Sequence, residues 1–276
     1  MRNIVKKTTL VSSLVLTLSA NSMYAQSLEW ISSTEGNTWQ KSKAKLQTNA
    51  AQTPILDVSG SEEGTVFKAW VTCFNELGWD ALNMLPRKEQ ETILHKLFSP
   101  EGELRFTMGR FSMNANDYAR DWYSCDEVPG DFQLKYFNIN RDKTTLIPFI
   151  KAAQQYNPNM TFWMSPWSPP SWMKINHYYS VRSDRNQNQM SPLSDVALFE
   201  GSKEKNTKVF PQQLAVNDYF IQDPRYLQTY ANYFCKFIDA YKQQGIAISM
   251  VMFQNESWSY TNYPGCAWTA EGIIRF

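Results

Sequence analysis

From Thr65 onward one pattern recurs four times: a short apolar run rich in aromatic and β-branched residues that ends in a polar tip. The runs are VFKAWVTCF (66–74), LRFTMGRFSMN (104–114), MTFWMSPW (160–167) and ISMVMFQNE (248–256). Between them, Trp79–Phe98, Asp142–Tyr156 and Asp223–Gln244 carry apolar residues at helical spacing. The last of these has its own punctuation, with Asp223-Pro224 as cap and first-turn proline and Gly245 just past the end. Strand and helix in steady alternation predict an α/β fold, a parallel sheet with right-handed crossovers. About 250 residues can make a full eight-stranded (β/α) barrel, but the loops here are long and only about the first four units are visible.

Chemistry in such a barrel collects at the C-terminal strand tips, because the tips and the loops after them form the mouth. ISMVMFQNE reads as a fully buried parallel strand ending in Asn255 and Glu256. Glu256 is the candidate general acid/base, and Asn255 is a neutral partner able to hydrogen-bond a sugar hydroxyl. The alternative is a polar strand end that merely turns the chain. The second run carries Arg110, with Asp117 beyond its tip. An inward arginine is costly unless paired, usually with a carboxylate at the mouth, whereas an outward one is simply solvated. After the third run, Pro166, Pro169 and Pro170 stiffen the segment that holds Trp167 and Trp172, so these rings lose little entropy on binding a ligand. A loop packed with aromatics for stability alone is the other reading. The polar insertion from Tyr178 to Tyr219 follows the same strand and either shapes the mouth or is a surface excursion.

Met1–Ala25 has Arg2, Lys6 and Lys7 before the apolar TTLVSSLVLTLSA and small residues near Ala20 and Ala25. This layout predicts a signal peptide and export to the periplasm, cell surface or exterior. Residues 26–64 are polar and turn-rich and read as an irregular leader with one short strand at Leu56-Asp57-Val58. No other stretch is long and apolar enough to span a membrane. A net charge of +1 gives no electrostatic case for nucleic acid. Cys73, Cys125, Cys235 and Cys266 lack zinc-ligand spacing, so neither a metal nor another cofactor is expected. There is no P-loop, dinucleotide fingerprint or GxSxG elbow.

Four stretches, CFNELGWDAL (73–82), Arg110 to Asp117 followed by PGDFQL (129–134), PWSPPSWMK (166–174) and QNE (254–256), together resemble glycoside hydrolase family 30. These are the glucosylceramidase-like retaining β-glycosidases, and the resemblance runs in order from about Thr65 to Trp268. It implies a (β/α)8 TIM barrel without a metal. It also implies that Glu256 is the acid/base, that Asn255 contacts the sugar 2-hydroxyl, that Arg110 supports the nucleophile, and that Asp117 and Trp167 line the subsite for the non-reducing sugar.

The family's nucleophile lies on a seventh strand, which has no counterpart here. Retaining hydrolysis places two carboxyls about 5 Å apart, and Glu256 supplies only the proton-donating one. Glu76, Asp117 and Asp121 do not occupy the matching position. The expectation is therefore that residues 65–276 are the N-terminal half of a barrel, truncated before the nucleophile. The enzyme would be an exported β-glucosidase or β-1,6-glucanase acting on β-linked glucans or glucosides. The alternative is an inert carbohydrate-binding remnant. Half a barrel leaves two unpaired strand edges, which predicts self-association or capture of a complementary fragment. Light scattering tests this; a monodisperse monomer with a cooperative melt would overturn it.

Overall fold

Leu28–Thr34 (β1) and Asn37–Ala44 (β2) form an antiparallel hairpin in the computed structural model, which describes residues 28–44, 64–196 and 217–276. The hairpin corrects the reading of residues 26–64 as an irregular leader with a single strand. It turns at Glu35-Gly36, where Gly36 has φ +78, a conformation that suits a tight hairpin turn. Its signal is weak in sequence because Trp30, Ile31 and Trp39 are all exposed, so no alternating apolar face marks the strands. The hairpin lies in a first compact unit that ends at Val66, and the rest of the chain forms a second. The expected signal peptide (Met1–Ala25) and the short strand at Leu56–Val58 lie outside the described residues.

The second unit is the barrel-type α/β sheet. Val71–Phe74 (β3), Met108–Met113 (β4), Thr161–Pro166 (β5) and Ile248–Val251 (β6) lie parallel in the order β3-β4-β5-β6. Sequential parallel strands with helical connections are the first four units of a TIM-type barrel. Glu76–Asn83 (α1) and Arg87–Phe98 (α2) follow β3, Leu146–Tyr156 (α3) follows β4, Pro224–Gln243 (α4) follows β5 and Ala270–Arg275 (α5) follows β6. The sequence reads Trp79–Phe98 as one helix, whereas Pro86 divides it. Proline has no N–H to continue α1, and its carbonyl instead starts α2 by accepting from Glu89 and Gln90 at 2.9 and 3.1 Å. Asp223 caps α4 as expected, accepting the Arg225 N–H at 2.8 Å.

Register sorts the strand residues onto two faces. Cys73, Arg110 and Trp163 pair in a row, and Phe74, Phe111 and Met164 form the next row on the opposite face. The second row is fully buried against the helices. Phe74 packs on Phe98, Phe149 and Phe162, and Phe111 stacks on Tyr241 at 4.7 Å between ring centres. The first row faces the barrel interior, where Cys73 is exposed and Arg110 and Trp163 are half-buried.

This asymmetry overturns one expectation. β6 is parallel, but it is not fully buried: Met250 and Met252 are 48% and 49% exposed. It also ends at Val251 rather than running to Glu256. An apolar run gives the burial a strand has when flanked on both sides; here β6 has β5 on one side and, among the described residues, no strand on the other.

Gly109 on β4 shows how tightly the helix face is packed. A Cβ there would lie 2.4 Å from the Phe74 ring and 2.9 Å from the Phe162 ring, both held in the core. Gly109→Ala is therefore expected to cost about 1–3 kcal/mol of stability, as overpacking does. Urea unfolding measures it, and a neutral substitution would show the core to be looser than described.

Candidate active site

The candidate site is built from the inward row and the segments beyond the strand tips. Arg110 is its centre. From β4 it reaches over β5, donating to Ser165 Oγ at 2.7 and 3.2 Å and to Asn255 Oδ1 at 2.7 Å. Its guanidinium lies 4.8 Å from the Trp163 ring centre and 4.3 Å from that of Trp167, a double cation–π contact. Desolvation lowers its pKa, and the nearby Asp117 and Glu256 work against that. The expected direct carboxylate partner is not found among the described residues. Neutral acceptors and two indoles satisfy the guanidinium instead, and the two carboxylates act on it through space.

Each residue of Gln254-Asn255-Glu256 has a separate task. Gln254 is buried, and its amide N–H₂ donates to the carbonyls of Trp167 and Asn255 at 2.7 and 2.8 Å. The Asn255 backbone N–H donates to the Pro166 carbonyl at 2.8 Å, which extends the β5–β6 pairing past the end of the regular strand. Because Asn255 Oδ1 is taken by Arg110, its side-chain NH₂ is the end left to donate outward. Glu256 is exposed and sits at φ +46, a left-handed conformation unusual for a non-glycine residue. Its Oε2 accepts from Tyr263 Oη at 2.8 Å. Burial raises the Tyr263 hydroxyl pKa, and the Glu256 carboxylate beside it raises it further, so the phenol stays a donor.

Asp117 faces the same space from the β4 side, at the rim. Desolvation pushes its carboxyl pKa up and the Glu256 charge adds to this, while Arg110 and a hydrogen bond from Trp167 pull it down. Asp117 therefore feels the Glu256 charge. Trp167 is only 6% exposed, with Arg110 on its face and Asp117 on its N–H. It positions these two groups and presents little ring to a ligand. Trp172 is a core residue, packed edge-on to Phe132 and donating to the Asp126 carbonyl at 3.0 Å. Here the alternative of an aromatic loop packed for stability holds.

The other acidic candidates are engaged elsewhere. Glu76 is 2% exposed and takes two hydrogen bonds from Arg141, at 2.9 and 2.8 Å, and one from the Arg120 backbone N–H at 2.9 Å. Burial pushes its pKa up, but these donors outweigh burial and hold it below the usual range. Asp121 pairs with Arg141 at 2.5 Å. No group of acidic, histidine or cysteine side chains among the described residues is arranged to hold a metal, and the four cysteines are unpaired.

Sequence reading missed Tyr263, Ser165 and Lys174. Ser165 could have been placed by counting two residues along β5 from Trp163, the interior period of a strand. Tyr263 lies in a loop without periodicity and carries no such signal. Lys174, inside the PWSPPSWMK motif, is fully buried and donates to the carbonyls of Tyr179, Ser180 and Gly265 at 2.6, 3.1 and 2.7 Å. Burial lowers its pKa to about 8. It ties the loop after β5 to the segment that carries Tyr263.

A parallel β/α sheet with a carboxylate, an amide and a half-buried arginine gathered at one end is the framework of a barrel glycosidase. Comparison with known proteins agrees. Residues 40–188 match the model of the glycosyl hydrolase family 30 TIM-barrel domain, more than half of the chain. The chain belongs to glycosyl hydrolase family 30. It is 28% identical to "Putative glucosylceramidase 4" of Caenorhabditis elegans, over 82% of this chain and 38% of that one. It is 27% identical to endo-1,6-beta-D-glucanase neg1 of Aspergillus fumigatus, over 83% of this chain and 40% of that one. Among solved structures, an endo-β1,6-glucanase superposes with TM-score 0.57 at 22% identity, over 79% of this chain and 40% of that one. The chain thus spans about two fifths of the length of the curated relatives it matches.

The coupling between Asp117 and Glu256 has a definite sign. Removing the Glu256 charge by Glu256→Gln is expected to lower the Asp117 pKa, and removing the Arg110 charge by Arg110→Met to raise it. Carbon-detected NMR titration of the Asp117 carboxyl reads both. No movement in Glu256→Gln would mean that the two carboxyls do not share one space.

Proposed function

We propose that the chain is the N-terminal part of an exported retaining β-glycosidase acting on β-linked glucans or glucosides, with Glu256 as the acid/base. The observation that carries this reading is the convergence, across β5, of Arg110 and Asp117 from β4 and its following segment with Asn255 and Glu256 from the segment after β6. A sugar seated there turns its glycosidic oxygen to Glu256, which protonates the leaving group. The Asn255 NH₂ donates to the 2-hydroxyl, and Asp117 accepts from hydroxyls farther round the ring. Tyr263 holds Glu256 in place from the side away from the sugar.

The names of the relatives, a glucanase and a glucosylceramidase, support a glucan or glucoside as the substrate. The basic and apolar opening of the chain supports export to the periplasm, cell surface or exterior. Retention needs a second carboxylate about 5 Å from the first. We place it on a strand beyond the four described here, because Asp117 is bound by Trp167 and Glu76 and Asp121 are bound by Arg141. The outer edges of β3 and β6, which carry no further strand among the described residues, are where such strands, or a second copy of the chain, would pair.

Joined to a segment that supplies this carboxylate, the chain is expected to hydrolyse both gentiobiose and dinitrophenyl β-glucoside. Glu256→Gln should then slow gentiobiose by about a hundred- to ten-thousand-fold. The first step on the dinitrophenyl substrate should suffer far less, since its leaving group needs no proton. Equal losses on the two substrates, or none, would overturn the assignment. Glycan binding without turnover in the completed barrel would favour the second reading, an inert carbohydrate-binding remnant.

A further inference from the structure

Beside the mouth lies a cavity of about 440 Å³, within the range of small-molecule sites. Its walls are Trp122 from the segment after β4, and Tyr178, Tyr179 and Gln187–Gln189 from the segment after β5. The three rings stand edge-on to one another, with centres 5.9 to 6.5 Å apart, and all three are half-buried. The side-chain amides of Gln187 and Gln189 have no partner among the described residues.

The charges at its edge are already neutralised. Arg120 is forked onto Asp80, with Nε to Oδ2 at 2.6 Å, and Asp121 is paired with Arg141. An ionic ligand would have to break these pairs, so the cavity suits a neutral molecule with apolar faces and many hydroxyls. A sugar has both, and its C–H faces lie well on indole and phenol rings.

The cavity walls are wired to the candidate active site. Arg120 and Trp122 follow Asp117 in the same segment. On the other side, the Tyr179 carbonyl accepts from the Gly265 N–H at 3.0 Å, and Asn188 donates to the Asn262 carbonyl at 2.8 Å. These residues bracket Tyr263, the partner of Glu256. Lys174 fixes the arrangement by holding the Tyr179 and Gly265 carbonyls together.

We infer that this cavity is an outlying subsite for a neutral β-linked oligosaccharide, gripping by its aromatic rings a sugar beyond the one seated at Glu256. The inference rests on the glycosidase reading above and adds to it a preference for chains over single sugars.

Binding of gentiotetraose and of methyl β-D-glucoside to the whole chain, followed by NMR, tests it. Trp122→Ala is expected to weaken gentiotetraose about tenfold, equivalent to about 1.4 kcal/mol, and to leave methyl β-D-glucoside unchanged. Trp122→Phe, which keeps a ring, should restore most of the loss, and its melting temperature controls for folding. If Trp122→Ala binds gentiotetraose as the unaltered chain does while Asp117→Ala weakens both sugars, the subsite is refuted and the glycosidase reading stands. If the unaltered chain binds neither sugar, the subsite is refuted, and the glycosidase reading is decided by turnover in the completed barrel.

Discussion

A half-buried positive charge on the interior face of a sheet, with no ion-pair partner among the described residues, is the constraint on which the site rests. Arg110 leaves bulk water on one side only, and its partial burial is tolerated because three of its five N–H donors and its flat face are used. Ser165 and Asn255 take the donors, and Trp163 and Trp167 take the faces. Each of these partners is thereby oriented. Asn255 can point only its NH₂ outward, and Trp167 turns its N–H to Asp117. A lysine there would supply charge without the planar fork, and the amide and the indole would lose their common reference.

A second buried cation performs a similar service for the loops. Lys174 donates to three carbonyls that belong to two chain segments remote in sequence. Those carbonyls come from irregular backbone, where no ladder satisfies them, and one ammonium replaces several backbone hydrogen bonds. Burial lowers its pKa to about 8, a desolvation penalty that the three acceptors offset only in part. Backbone strain accompanies this framework at Asn114 (φ 70) and Glu256 (φ 46), both next to the site. Asn114 is held by donors from Cys125 and Tyr233 and by its own bond to the Ser168 carbonyl at 3.0 Å. Left-handed turns at the tips let the chain leave the sheet abruptly while a polar side chain stays at the mouth.

The alternation of strand and helix was legible because each element buries one face, and burial writes its period into the sequence. Asp223-Pro224 and Gly245 marked α4 by local chemistry alone. The hairpin at Leu28–Ala44 was not legible, because neither of its faces is a core. The burial of β6 was misjudged for a related reason: an apolar run such as ISMVMF records the neighbours a strand is built to have, and the open side of β6 exposes Met250 and Met252. At the site, Glu256, Asn255 and Asp117 stood out in sequence as polar residues past an apolar run, and Arg110 as a lone charge inside one. Their division of labour did not. That Arg110 chooses an amide over a carboxylate, and that Trp167 spends its face on Arg110, depends on which strands stand side by side.

This division explains why the exposed aromatic surface lies apart from the motif tryptophans. Trp167 and Trp172 sit in a proline-stiffened segment, and the same stiffness that fixes them also closes packing around them, so their rings are spent on structure. Trp122, Tyr178 and Tyr179 sit on longer, irregular segments where no helix covers them. These three rings are half-buried, and Trp258, two residues beyond Glu256, is 54% exposed. The proline-stiffened part of the mouth therefore aligns polar groups, and the irregular segments carry the partly open rings. Alignment to a single bond demands fixed geometry, whereas stacking on a sugar face tolerates lateral displacement, so the two kinds of contact separate along the chain.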